Sequence, residues 1–337
     1  MSKPKLLVLN RTCLDVIEEF RDWVESEGLE LHKNTNVAKD VLENLIPLSQ
    51  EADGVVGPMY CPITPDFFER LPRLKVLSLA SSGYDGITDP EAATRRGVVL
   101  TSAPVAEGAE VVADMAWGLM LSIARRIPQH HHNLRQGIHT RALTGTVYEK
   151  TLGILGLGNI GKRVIQRATG FRMKVLAHDV RPDHDFARKH GVELVGFEEL
   201  LARSDFISIH LRLNTETRGI VGARELSRMK PGAYLINTAR DALVDETALA
   251  DALEQGLLSG AATDEAPRQE AERLLANPNY ICTPHIGNRA IEGVRAVTRC
   301  ALRNAMDVLQ GKRPEYVLNP KVYENGLHSL AGRESHR

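Results

Sequence analysis

One short run, Gly156-Leu157-Gly158-Asn159-Ile160-Gly161, has the composition and spacing of a turn that cradles phosphate. It follows an apolar run at 151–155 and enters a helical pattern at 162–168, the context that a dinucleotide fingerprint requires. Gly156 permits the tight turn, Gly158 admits a pyrophosphate close to the backbone, and Gly161 lets helix and sheet pack closely. Asn159 and Ile160 sit at the start of the helix, where free N–H groups favour an anion. The next apolar run ends at Asp179, eighteen residues after Gly161, near the spacing at which a carboxylate takes the adenosine ribose hydroxyls. A carboxylate there repels a 2′-phosphate, so the expected cofactor is NAD (NADH), with NADP second. Arg181 and Arg212 leave the strictness of that preference open.

In open α/β sheets ligands bind outside the carboxyl ends of the strands. Three such ends carry Asn237-Thr238-Ala239-Arg240, then Asp264, then Thr283-Pro284-His285-Ile286-Gly287. Arg240 can fork two hydrogen bonds onto a carboxylate. His285 can give or take a proton near neutral pH. An Arg and a His facing a nicotinamide suit a 2-oxo acid, and Thr238 and Asp264 are assigned to the cofactor. The run His130-His131-His132 invites a metal reading, but neighbours on a helix point about 100° apart and chelate poorly compared with an i, i+4 pair. No metal is expected.

The elements that must position these groups are short apolar runs alternating with helical stretches, the signature of a parallel sheet covered by helices. Strands are expected at 5–10, 29–32, 54–57, 75–79 and 98–101. A second series falls at 151–155, 174–177, 206–210, 233–237, 260–263 and 280–283. Helices are expected at 14–27, 38–50, 107–127 and 288–309, with a polar stretch without strands at 128–150. With 337 residues, two α/β units fit the length. A formal net charge of −1 gives no global field for nucleic acid or an anionic membrane. The longest apolar stretch, 115–124, has half of the roughly 20 residues that a bilayer span needs. The start of the chain lacks the longer apolar run and cleavage site of a signal peptide. Four scattered cysteines without C-x-x-C spacing suit a reducing compartment, and a cytoplasmic location is expected.

Taken together, the motifs resemble the D-isomer-specific 2-hydroxyacid dehydrogenases, which include phosphoglycerate, glycerate and formate dehydrogenases. The resemblance runs over roughly residues 50–310. It rests on Ser82-Gly83-Tyr84-Asp85, Val112-Ala113-Asp114, the glycine turn, Ser204-Asp205 with Ile209-His210, Arg240 with Val244-Asp245-Glu246, and Thr283 to Gly287. It implies two doubly wound parallel-sheet domains, Rossmann-like and flavodoxin-like, with a cleft between them. Residues 1–103 with 300–337 would form the substrate domain and 104–299 the NAD-binding domain. A homodimer would join through 105–150.

The implied activity is hydride transfer between NAD and a small 2-oxo or D-2-hydroxy acid. Arg240 would bind the substrate carboxylate, the Ser82 and Gly83 N–H groups would complete that site, and Met59 and Tyr60 would form a wall. His139 and Arg141 suggest a second anionic group on the substrate, a phosphate, phosphonate or carboxylate. His285 would be the acid/base, hydrogen-bonded to a Glu that the family places five residues after the strand-end Asp. That count lands on Gln269, so Glu270 is the expected partner, with Glu265 and Gln269 as rivals. Two further departures are Asp241, where the family usually has Gly, and Arg212, where it usually has Pro. The altered Glu position leaves an alternative open, a nucleotide-sensing, corepressor-like binding protein without turnover.

Overall fold

A computed structural model describes residues 3–34, 41–57, 61–84 and 88–324. The chain gathers into two compact units, one from residues 1–108 with 289–337 and one from 109–288.

The first unit is built on five parallel strands, β1 (Lys5–Val8), β2 (Glu30–Lys33), β3 (Gly54–Val56), β4 (Val76–Ser78) and β5 (Val99–Thr101), in the order β2-β1-β3-β4-β5. Alternate residues serve opposite faces of a strand. Leu6, Val8, Val56, Val76 and Val99 pack with Val294, Ala301, Leu302 and Ala305 of the helix Ile291–Leu309. Leu7, Val55, Leu77 and Leu100 face the other way, onto Leu45, Ile46, Phe67 and Phe68. Polar ties reinforce the join of the two chain segments: the Ser78 hydroxyl donates to the Ala301 carbonyl at 2.9 Å, and Asn304 Nδ2 donates to the Ser102 carbonyl at 2.9 Å.

The helix expected at 14–27 is instead three short pieces, Arg11–Leu14, a 3₁₀ turn Ile17–Phe20 and Arg21–Ser26. Asn10 starts it early by accepting the Thr12 and Cys13 N–H groups, and Val16 (φ −126°) breaks it so that Cys13, Val16, Ile17 and Phe20 are all buried. The helix expected at 38–50 is described as Leu42–Ser49. Met59 and Tyr60, expected at the substrate, lie outside the described residues.

The second unit holds seven parallel strands, β6 (Thr151–Leu155), β7 (Lys174–His178), β8 (Glu193–Leu194), β9 (Phe206–Ile209), β10 (Ala233–Asn237), β11 (Leu258–Thr263) and β12 (Tyr280–Cys282). Their order is β12-β11-β10-β9-β6-β7-β8. From β6 the chain builds outward through β7 and β8, then returns to β9 on the other side of β6, so the switch point lies between β6 and β9. β8 is an edge pair of residues too short to leave an apolar run in the sequence. The helix Ala106–Ala124 stops at Arg126, which takes a left-handed φ of 51°, and a second helix, Ile127–Arg135, follows without a single buried residue.

Candidate active site

The glycine turn sits at the carboxyl end of β6, and each glycine answers a different constraint. Gly156 has a φ of 99°, and a Cβ there would lie 2.7 Å from the His210 carbonyl oxygen. A Cβ on Gly161 would lie 2.2 Å from the Gly156 carbonyl oxygen. Gly158 is the opposite case: its Cβ would meet no heavy atom within 4 Å, so this face is open to a ligand. The helix Asn159–Ala168 begins there without a side-chain cap, leaving the N–H groups of its first turn, Asn159, Ile160 and Gly161, free for an anion.

Asp179 stands beside this turn. Its carboxylate accepts the Leu157 N–H at 2.7 Å and the Arg181 N–H at 2.8 Å. At the end of β10 the Thr238 hydroxyl is buried with no hydrogen-bond partner among the described residues. Such an orphan costs about 1–3 kcal/mol, and it fits a group that a bound cofactor would satisfy. His210, after β9, is pushed down to about 3 by burial and stays neutral, its Nε2 2.9 Å from the Ser208 hydroxyl. An open glycine face and an uncapped helix start at the end of β6, with an orphan hydroxyl at the end of β10 across β9, together fit a dinucleotide.

A second cluster of polar side chains lies after β11 and β12. His285 occupies a tight turn at φ 56°, and its N–H donates to the Thr283 carbonyl at 3.0 Å. A left-handed non-glycine residue costs about 1–3 kcal/mol and persists only where its surroundings over-determine it. Asp264 supplies that constraint, accepting the Thr283 hydroxyl at 2.6 Å, the Ile286 N–H at 2.9 Å and the Gly287 N–H at 2.6 Å. A Cβ on residue 287 would lie 2.5 Å from the Asp264 carboxylate, which explains the glycine. Asp264, expected at the cofactor, therefore spends both oxygens on holding the turn that carries His285.

Glu265, not Glu270, is the carboxylate on His285: its Oε1 lies 2.8 Å from the imidazole Nδ1. Its Oε2 accepts the Asp241 N–H at 2.6 Å. Burial works to raise the Glu265 carboxyl, but the His285 hydrogen bond, the Asp241 side chain and the Asp241 N–H outweigh it and hold the group well below the usual carboxylate range. Glu270 faces elsewhere, accepting the Thr247 hydroxyl at 3.0 Å and Arg273 Nη1 at 3.3 Å. Glu246 explains the difference. Its carboxylate gathers the N–H groups of Arg268, Gln269 and Glu270 at 2.7–3.1 Å and turns that loop away. The family count misleads because it presumes another loop. The signal that would have found Glu265 is its position directly after the strand-end Asp264.

Arg240 is set by Asn237, whose Nδ2 donates to the Arg240 carbonyl at 2.7 Å while its Oδ1 accepts the Ala239 N–H at 3.0 Å. The Arg240 guanidinium donates to the Ala239 carbonyl at 2.7 Å and pairs with no carboxylate among the described residues. Its neighbour Asp241 pairs with Arg268 instead, at 2.8 Å. The charge of Arg240 is thus left for a ligand. In the first unit, Ser82 and Gly83 follow β4 in a loop tied by the Ser81 hydroxyl to the Gly83 carbonyl at 2.7 Å. The Ser82 and Gly83 N–H groups meet no acceptor among the described residues. No metal-binding cluster occurs among the described residues.

One pH effect follows from Glu265. An anionic partner favours the imidazolium, the form that donates a proton in carbonyl reduction. Glu265→Gln removes that charge, so activity in the reducing direction is expected to be lost at a lower pH than in wild type. A kcat/KM profile against pH checks this, and an unmoved alkaline limb would contradict it.

With this geometry described, comparison places it among known proteins. Residues 117–287 match the family described as D-isomer specific 2-hydroxyacid dehydrogenase, NAD binding domain. The chain is 37% identical to a D-3-phosphoglycerate dehydrogenase of Methanocaldococcus jannaschii, over 97% of its own length and 62% of that relative's. It is 35% identical to a glyoxylate reductase of Thermococcus litoralis, over 95% of this chain and 98% of the relative. The apo-structure of D-lactate dehydrogenase from Escherichia coli superposes with a TM-score of 0.80 at 27% identity, covering 93% of this chain and 99% of that one.

Proposed function

The chain belongs to the D-isomer specific 2-hydroxyacid dehydrogenase family, and on that premise we propose that it reduces a small 2-oxo acid with NADH, using Arg240, His285 and Glu265. A nicotinamide cofactor, when bound, supplies or accepts the hydride. The residues that would hold it are Gly156, Gly158, Asn159, Ile160 and Gly161 at the phosphates, Asp179 at the ribose and Thr238 nearby. Arg240 binds the substrate carboxylate through its planar fork of donors. His285 donates its proton to the carbonyl oxygen in reduction and takes it back in oxidation. Glu265 holds Nδ1, which keeps the other nitrogen, Nε2, for that exchange.

The observation that carries this reading is an Arg240 guanidinium without a carboxylate beside a His285 that has one. The binding-protein alternative rested on a missing carboxylate, and Glu265 supplies it. A spectrophotometric assay of NADH oxidation with glyoxylate, pyruvate, hydroxypyruvate and a dianionic 2-oxo acid tests it. Absence of turnover with every acid would overturn it. The dianionic acid addresses the second anionic group suggested by His139 and Arg141, both exposed in the structure.

NADH is proposed over NADPH because the Asp179 carboxylate is fixed at the end of β7, where it opposes a 2′-phosphate. Asp179→Ser is expected to raise the NADPH-to-NADH ratio of kcat/KM about tenfold or more, since one unit charge there is worth at least ~1.4 kcal/mol. A wild-type preference for NADPH would assign control to Arg181 or Arg212. The scattered cysteines without C-x-x-C spacing support a cytoplasmic location, and no described helix is long and apolar enough to cross a membrane. We further propose a homodimer. The helix Ile127–Arg135 buries nothing of itself, and Ile127, Leu134, Ile138 and the 97% exposed Leu143 would be covered by a second copy.

A further inference from the structure

Asp241 has no part in the machinery described so far, yet it touches that machinery more closely than any other residue outside it. Its N–H holds Glu265 Oε2 at 2.6 Å, and its carboxyl lies within hydrogen-bonding reach of the Glu265 carboxyl. The Asp241 side chain is itself fixed from two directions, by the Ala242 N–H at 2.7 Å and by Arg268 Nε at 2.8 Å. The result is a chain of four groups, His285, Glu265, Asp241 and Arg268, running outward from the imidazole.

We propose that Asp241 is a positioning residue for His285, acting through Glu265: it orients that carboxylate on the imidazole and adds a second negative charge behind it. This rests on the reading of His285 as the proton donor. Orientation comes from the N–H, which pins Oε2 and so points Oε1 at His285. Charge comes from the carboxyl, which is half-buried and paired with Arg268. Two carboxyls this close do not ionise independently. Burial, then the adjacent Glu265 carboxyl, push Asp241 above the ordinary range, while Glu265 stays below it. As pH falls, Asp241 therefore takes up a proton before Glu265 does. Above that point the Glu265–Asp241 pair presents two negative charges to His285, and below it one.

Two other carboxylates stand near, but both are held by N–H and O–H groups on other parts of the chain and are unchanged by substitution at 241. On the turn after β12, Asp264 is engaged by Thr283, Ile286 and Gly287. Glu246 is engaged by the N–H groups of residues 268–270. The cations near Asp241 are Arg268, in contact with it, and Arg240, which precedes it and turns its guanidinium to the Ala239 carbonyl.

The test compares wild type with Asp241→Asn, Asp241→Ser and Asp241→Glu by two measurements. One is the pH profile of kcat/KM for 2-oxo acid reduction. The other is an NMR titration of the His285 imidazole, assigned with His285→Ala. Both neutral variants are expected to move the alkaline limb and the imidazole titration to lower pH by roughly half a unit, less than Glu265→Gln does because the lost charge is farther away. The glutamate variant, which restores the charge, is expected to stay near wild type. An unmoved titration in both neutral variants, or an equal displacement in the glutamate variant, would overturn the proposal. If wild type reduces no 2-oxo acid, the functional reading falls, and the imidazole titration still decides the role of Asp241.

Discussion

His285→Ala is expected to lower turnover in 2-oxo acid reduction about 10²–10⁴-fold, the usual worth of a positioned general acid. The expectation follows from where the imidazole is held. Glu265 occupies Nδ1, the 283–287 turn is locked by Asp264, and Nε2 has no partner among the described residues. No other imidazole is described near that turn. The dinucleotide residues lie at the ends of β6, β7 and β10, away from the 283–287 turn in sequence and on other strands. NADH affinity, read by fluorescence, should therefore stay within a few-fold of wild type. Turnover unchanged in this variant would remove His285 from the chemistry.

A second large effect is expected at Arg240. Replacing it with Gln deletes a charge that pairs with no described carboxylate, so the loss should fall on substrate rather than on the fold. Truncating one side of a hydrogen-bonded charge pair costs roughly 2–5 kcal/mol, which corresponds to about 30- to 5,000-fold in kcat/KM. Arg240→Lys keeps the charge without the planar fork, so it should recover part of the loss, chiefly in KM. The thermal midpoint should barely move in either variant. A large drop in that midpoint would show that Arg240 supports the fold instead.

Most strands were legible because an enclosed parallel sheet needs continuous apolar runs. β6 and β10 have the expected limits, the other expected strands differ by one or two residues at their ends, and β8 was not expected. The glycine turn was legible for a related reason: steric demands at Gly156 and Gly161 admit one residue type, and sequence records that directly. The partner of His285 was not legible. Glu265, Gln269 and Glu270 are all within a few residues of one strand end, and what selects among them is a long-range contact, Glu246 pulling residues 268–270 toward itself. The link from Asp241 to Glu265 is of the same kind, joining positions 24 residues apart. The break at Val16 was also hidden, because the apolar pattern through 13–20 fits a continuous helix until burial of all four side chains is required.

The shared core of the first unit has a consequence for biosynthesis. Leu6, Val8, Val56, Val76 and Val99 are covered by a helix, Ile291–Leu309, that leaves the ribosome only after the whole of 109–288. At about 5–20 residues per second that interval is roughly ten to forty seconds. During it one face of the nascent N-terminal sheet has no cover, while the later-made middle unit has all its own strands in hand. Maturation thus runs against the order of translation, and the opening hundred residues are the stretch that depends on chaperone shielding.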